Sequence, residues 1–186
     1  MLNLKIKKLL ILLIILVCLS SCTKSYNSNK EEDYERYISE VVDAQLYMPN
    51  LEDLGVYESI FVSSRIRNDL FFDTTDTIAL IVQYDESNYD IATNNLENKY
   101  KYISHELENY KDFEASIKNF NFRVDLNSLY EMINYPSNEV VLYPKCSLIV
   151  GLNEIEHKIA YLYYWDVEVN CMEDLDKFIE EKFILE

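Results

Sequence analysis

Two histidines, two glycines and four cysteines are all that the 186-residue chain offers to the commonest site chemistries. A helical zinc-protease site requires His-Glu-x-x-His, and the stretch His105-Glu106-Leu107-Glu108-Asn109 ends in Asn where the second ligand should stand. A phosphate-cradling loop requires several neighbouring residues at positive φ, which the distant Gly55 and Gly151 do not supply. There is no Gly-x-Ser-x-Gly elbow, so a Ser or Cys nucleophile would have to borrow His105 or His157 through tertiary contacts. Both histidines read instead as surface polar residues. Calcium is the metal that the composition invites, through Asp73, Asp76 and Asp85, yet the twelve-residue loop with its central Gly and terminal Glu is missing. No metal and no cofactor is expected. Paired carboxylates could support glycoside hydrolysis, but among 33 acidic residues any one pair is uninformative, and solvated faces are the better reading.

Charge narrows the partners. With 17 basic against 33 acidic side chains the formal charge is −16, the wrong sign for phosphate backbones, and nucleic acid is excluded as an expected partner. The composition is 49% hydrophobic with 2 Gly and 3 Pro, too apolar and too poor in breakers for a disordered chain, so one folded domain is expected.

The N-terminus carries the most specific signal. Lys5, Lys7 and Lys8 precede the apolar run Leu9 to Leu19, and the small polar residues Ser20 and Ser21 follow, the three-part layout of an export signal. As a helix at about 1.5 Å per residue the run falls well short of the ~30 Å hydrocarbon thickness, so it reads as a removable leader and not a permanent span. Leu19-Ser20-Ser21-Cys22 resembles the lipobox of bacterial lipoproteins, and the surrounding chain is similar to small surface lipoproteins of low-GC Gram-positive bacteria. The resemblance implies that residues 1–21 are removed and that Cys22 receives a diacylglyceryl group, with two or more acyl chains giving stable anchoring at the extracytoplasmic face of the cell membrane. Residues 22–30 then read as the lipidated cysteine and a polar tether, and residues 31–186 as a single domain. An acidic globule gains no electrostatic attraction from an anionic leaflet, so the lipid would do the holding.

The elements behind these residues follow from periodicity. Ser28-Asn29-Lys30-Glu31 has capping-box spacing, and Tyr34, Tyr37, Ile38, Val41, Val42 and Leu46 predict an amphipathic helix over about 30–47. Residues 57–67 and 70–84 predict an antiparallel hairpin around Asn68-Asp69, with Asp73-Thr74-Thr75-Asp76 as a bulge or further turn. Tyr89, Ala92, Leu96, Tyr100 and Ile103 predict a second helix over about 87–102. Phe120, Phe122, Val124 and Leu126 alternate as a half-buried strand, paired through Lys118-Asn119 with 113–117. Residues 146–152 and 158–169 form another predicted hairpin, and the second of these, apolar on both faces in its first half, is the expected central strand. Met172, Leu175, Phe178, Ile179 and Phe183 predict a C-terminal helix. The class is α+β, a mainly antiparallel sheet of about five to six strands with N-terminal, middle and C-terminal helices packed on it.

Within the central strand, Trp165 shares a face with Ile159, Tyr161 and Tyr163 and is expected to be buried there, covered by Tyr100 and Phe183 from the two later helices. Tyr164, beside Asp166 and Glu168 on the other face, is expected to offer a surface contact. Turning the last hairpin near Ile155 sets Cys146 opposite about Tyr164, which favours two separate buried thiols over a Cys146–Cys171 disulfide. An echo between Ile78-Ala79…Tyr84-Asp85 and Ile159-Ala160…Trp165-Asp166, each followed by a helix, raises two hairpin-plus-helix units, although convergence produces the same pattern. The functional expectation is a non-enzymatic, membrane-anchored domain that binds a protein or envelope component; the alternatives are a carboxylate-dependent envelope hydrolase and a small-ligand carrier.

Overall fold

The computed structural model describes residues 22–68, 75–102, 114–125, 128, 146–166 and 175–185. Its elements in chain order are β1 (Cys22–Ser28), α1 (Glu31–Glu40), α2 (Ala44–Tyr47), a 3-10 turn (Leu51–Leu54), β2 (Ser59–Asn68), β3 (Thr75–Gln83), α3 (Glu86–Lys99), β4 (Glu114–Ile117), β5 (Phe120–Val124), β6 (Cys146–Asn153), β7 (Lys158–Asp166) and α4 (Leu175–Lys182). The class is α+β. All strands join one antiparallel sheet in the order β1-β2-β3-β7-β6-β5-β4. Two meanders, β1 to β3 and β4 to β7, are therefore stitched together where β3 pairs with β7, and β7 lies at the centre of the sheet as its two-sided apolar pattern requires.

Seven strands stand among the described residues where the sequence suggests five to six, and the extra one is β1. The polar stretch that reads as a tether runs antiparallel along β2 from the pair Cys22–Asn68 to the pair Ser28–Val62. Its one large apolar anchor is Tyr26, whose ring stacks on Tyr37 of α1 at 5.3 Å. The remaining expected features of this region shift slightly. Ser28 does not cap the helix through Glu31; its hydroxyl donates to Asp33 Oδ2 at 2.5 Å and accepts from the Lys30 amide at 3.2 Å. The single helix expected over 30–47 is broken at 41–43, where Val41 is extended and Asp43 adopts a left-handed φ of 57° before α2 begins. An adjacent pair of β-branched valines, costly in a helix, sits at that break.

Alternation along β3 and β7 splits the core into two layers. Ile78, Leu80 and Val82 of β3 and Ile159, Tyr161 and Tyr163 of β7 point to the first face, where Tyr34, Tyr37, Ala44, Leu54, Tyr89 and Leu96 from α1, α2, the 3-10 turn and α3 cover them. Ala79, Ile81, Ala160, Leu162 and Tyr164 point to the second, where they meet Leu175, Phe178 and Ile179 of α4, followed by Phe183 and Leu185. Phe120, Phe122 and Val124 extend this second layer along β5, as their alternation predicts. The tight β4–β5 turn at Lys118-Asn119 is present, with φ of 49° and 65°, a conformation that Asn tolerates better than most side chains.

The C-terminus of α4 is fastened to the second face by side chains. Arg65 donates to the Glu181 carbonyl at 3.3 Å, Thr77 to that of Lys182 at 3.3 Å and Ser63 to that of Ile184 at 3.5 Å, while Lys118 donates to the carbonyl of Leu185. The first two of these bonds occupy carbonyls that a helix leaves without intrahelical partners, and the other two hold the residues that follow it. They also explain why polar Ser63 and Thr77 sit buried in the sheet.

Two expectations for the central strand are corrected here. Tyr164 is not a surface contact: it is 0% exposed, because α4 packs on its side of β7 and Phe178 meets its ring at 4.8 Å. Trp165 lies on the first face as expected but is only half-buried, packed against the margin of that layer near the end of β7. Phe183 does not help to cover it, since Phe183 belongs to the opposite layer from Tyr100. The same separation bears on the internal echo. The two antiparallel strands of the echo present Ile78 and Ile159 to one face, yet α3 and α4 cover opposite faces, an arrangement that a simple repetition of one hairpin-plus-helix unit does not produce.

Candidate functional site

Under α3 the first layer encloses a cavity of about 30 Å³, bounded by Tyr84, Tyr100, Tyr161, Leu54, Asp53 and Lys99. Three local structures bring these residues together. Asp85 caps α3, its carboxylate accepting from the Asn88 amide at 2.9 Å, the Asn88 side chain at 2.7 Å and the Ser87 hydroxyl at 2.9 Å, and this starts the helix immediately after Tyr84. Leu96 and Tyr100, one turn apart, then point down onto Tyr161 of β7, with the Tyr100 and Tyr161 rings 6.5 Å apart. The 3-10 turn Leu51–Leu54 closes the other side, where Tyr84 donates to the Leu54 carbonyl at 3.2 Å and, one residue beyond the break after α2, Tyr34 donates to the Pro49 carbonyl at 2.6 Å.

The mouth is charged and the interior phenolic. Lys99 donates to Asp53 Oδ2 at 3.1 Å and its ammonium lies 5.7 Å above the Tyr100 ring. This hydrogen bond, with the attraction of the ammonium, holds the Asp53 carboxyl below the usual carboxylate range. Burial pushes the hydroxyls of Tyr34, Tyr84, Tyr100 and Tyr161 above the ordinary tyrosine range, so all four stay protonated well into alkaline conditions. The Tyr84 oxygen also receives a hydrogen bond from Tyr161. The Tyr100 hydroxyl is buried without a hydrogen-bond partner. A cavity of this size admits about two water-sized groups, far less than the ~300–1,000 Å³ of drug-sized ligand sites.

The residues that the sequence singles out do not assemble around this cavity. Cys22 is the first residue of β1, at the edge of the sheet. Asp85 is committed to its cap and Asp76 to β3, whereas Asp73, His105 and Cys171 lie outside the described residues. Cys146 is buried opposite Trp165, one position beyond the register expected from a turn at Ile155, and its thiol donates to the Ser128 carbonyl at 3.6 Å. His157 adopts a left-handed φ of 50° in the β6–β7 turn and packs against Tyr89 at 5.5 Å, a structural contact and not a ligand set. The buried carboxylates are engaged in structure: Asp166 accepts from Thr75 at 2.7 Å and Asp125 from the Lys101 amide at 3.0 Å. No group of three or more His, Cys, Asp or Glu converges among the described residues, and no described helix is long and apolar enough to cross a membrane.

Comparison with models of known protein families, with curated proteins and with solved structures finds no match. The chemistry of the chain therefore rests on its own residues.

Proposed function

We propose that the chain is a lipid-anchored, extracytoplasmic domain that binds a protein or envelope component without catalysing a reaction. The observation that carries this reading is Leu19-Ser20-Ser21-Cys22 at the end of a lysine-flanked apolar run, a motif in which each residue type has a physical role. The small residues admit a peptidase to the bond before Cys22, and the thiol accepts the diacylglyceryl group. Two further features support it. Cys22 lies in the edge strand β1, so the cysteine to be acylated is not enclosed between two other strands. Both sheet faces are occupied by helices, and the cavity under α3 is too small for a carried ligand of drug size.

Mass spectrometry of the protein from its own membranes is the direct test. The expected result is an N-terminal Cys22 bearing diacylglycerol, and a Cys22→Ser protein released from the membrane fraction. An unmodified N-terminus, or a Cys22→Ser protein that remains membrane-bound, would overturn the reading.

A further inference from the structure

The cavity under α3 is built to receive hydrogen-bond donors. The Tyr84 hydroxyl is satisfied, donating to the Leu54 carbonyl and accepting from Tyr161, but the Tyr100 oxygen is unpartnered and Asp53 places a carboxylate at the mouth. The Tyr100 ring presents its negative π face beside that carboxylate, which favours a cation over a neutral donor, and an aromatic face with a nearby carboxylate suits ammonium recognition. An anion would face both Asp53 and that π face. The chain's own Lys99 reports the same preference, since its ammonium has settled between Asp53 and the Tyr100 ring. That lysine is nearly half exposed and its ion pair is of the weak surface type, so a competing amine can displace it at little cost.

We infer that this cavity is a recognition site for a small protonated amine, which enters as Lys99 swings outward. A volume of about 30 Å³ accommodates a primary ammonium head and one carbon, not a quaternary group. Such a head belongs either to a free small amine or to a lysyl side chain of a partner, and the formal charge of −16 attracts both. The inference goes beyond the anchoring reading and does not depend on it.

The test uses the full chain in detergent, with ring-labelled tyrosine followed by NMR. Methylammonium chloride is titrated against sodium chloride at equal ionic strength. Saturable shifts of tyrosine ring signals are expected for methylammonium alone, with Kd in the millimolar range set by so few ligand atoms. Tetramethylammonium should give none. Lys99→Ala, which removes the resident cation from an exposed position, should tighten methylammonium binding severalfold, whereas Asp53→Asn and Tyr100→Phe should weaken it. n-Butylammonium binding as well as methylammonium identifies a lysyl side chain as the source; methylammonium binding alone identifies a free small amine. If neither the wild type nor Lys99→Ala shows a saturable shift beyond that of sodium chloride, the cavity holds only water and the inference fails. That failure would leave the acylation of Cys22 untouched.

Discussion

The rings of Phe178 and Tyr164 meet edge to face with centroids 4.8 Å apart, and this contact docks α4 on the second face of the sheet. Such a pair contributes about 0.5–1.5 kcal/mol beyond the apolar area that it buries. Phe178 also meets Phe183 at 6.1 Å, so one side chain links the helix, the strand and the C-terminal residues. Phe178→Ala should therefore cost about 3–5 kcal/mol in urea unfolding, with Phe178→Leu costing markedly less. Equal losses for the two would mean that the ring contact is not what holds α4.

Gly151 of β6 is the cross-strand partner of Phe122, and a Cβ there would lie 2.3 Å from Phe122 Cε1. The ring folds over the bare glycine backbone and fills the space that a side chain would take. Gly151→Ala should destabilise the domain by about 1–3 kcal/mol through overpacking. Phe122→Leu in the same chain should recover part of that loss, and a double variant whose cost equals the sum of the single costs would sink the explanation.

Alkaline stability should report the buried phenols. Tyr34, Tyr84, Tyr100, Tyr161 and Tyr163 have folded-state pKa values raised above 10.0, burial being the largest cause in each. In the unfolded chain these groups lose protons near pH 10 while the folded protein keeps them. The unfolded state then binds fewer protons, so stability is fully present below about pH 10 and declines above it, by up to about 1.4 kcal/mol per pH unit for each group. Denaturation curves collected from pH 8 to 12 should show that decline, with the phenols absorbing as tyrosinate only as the chain unfolds. Flat stability across this range would contradict their burial.

Asp85 has the opposite linkage. Its carboxyl is held below the usual range by the Asn88 amide first, then by the Asn88 and Ser87 side chains. A depressed carboxyl contributes stability above its unfolded pKa and loses it as the pH falls through the folded value, so the cap should fail on acidification. Asp85→Ala should lower Tm at neutral pH, Asp85→Asn should retain most of the helix start, and both should flatten the acid limb of the Tm profile. An Asn variant as unstable as the Ala variant would show that the side chain serves something other than the cap.

Where side-chain period and tertiary structure agree, the sequence was readable. The alternation of β5, the steps of α3 and the two-sided burial of β7 all correspond to observed elements, because each pattern records which side of an element faces the core. The failures share one cause: periodicity does not say which face of a sheet a distant helix will cover. Tyr164 was misread for this reason, its polar neighbours Asp166 and Glu168 suggesting solvent on a side that α4 in fact closes. β1 escaped detection because Cys22–Ser28 has no apolar alternation and is held by ladder bonds to β2, by the Tyr26 ring and by the bond from Ser28 to Asp33. The amine cavity was equally illegible, since Asp53 and Lys99 stand 46 positions apart and nothing local marks them as partners. Its tyrosines were visible only as core residues, and the buried hydroxyl that makes Tyr100 more than packing has no signature in spacing.

The pairing of β1 with β2 has a mechanical consequence if Cys22 is acylated. A pull from the bilayer then enters the domain at one end of the ladder, at the rung Cys22–Asn68, and loads the rungs one after another instead of together. Antiparallel rungs opened in this order separate at low force, as a zipper does. At rest the domain would ride against the lipid with no slack, its edge strand fixing its orientation. Under tension the seven residues of β1 could peel away and pay out a leash of roughly 23 Å, and they could re-zip when the load falls.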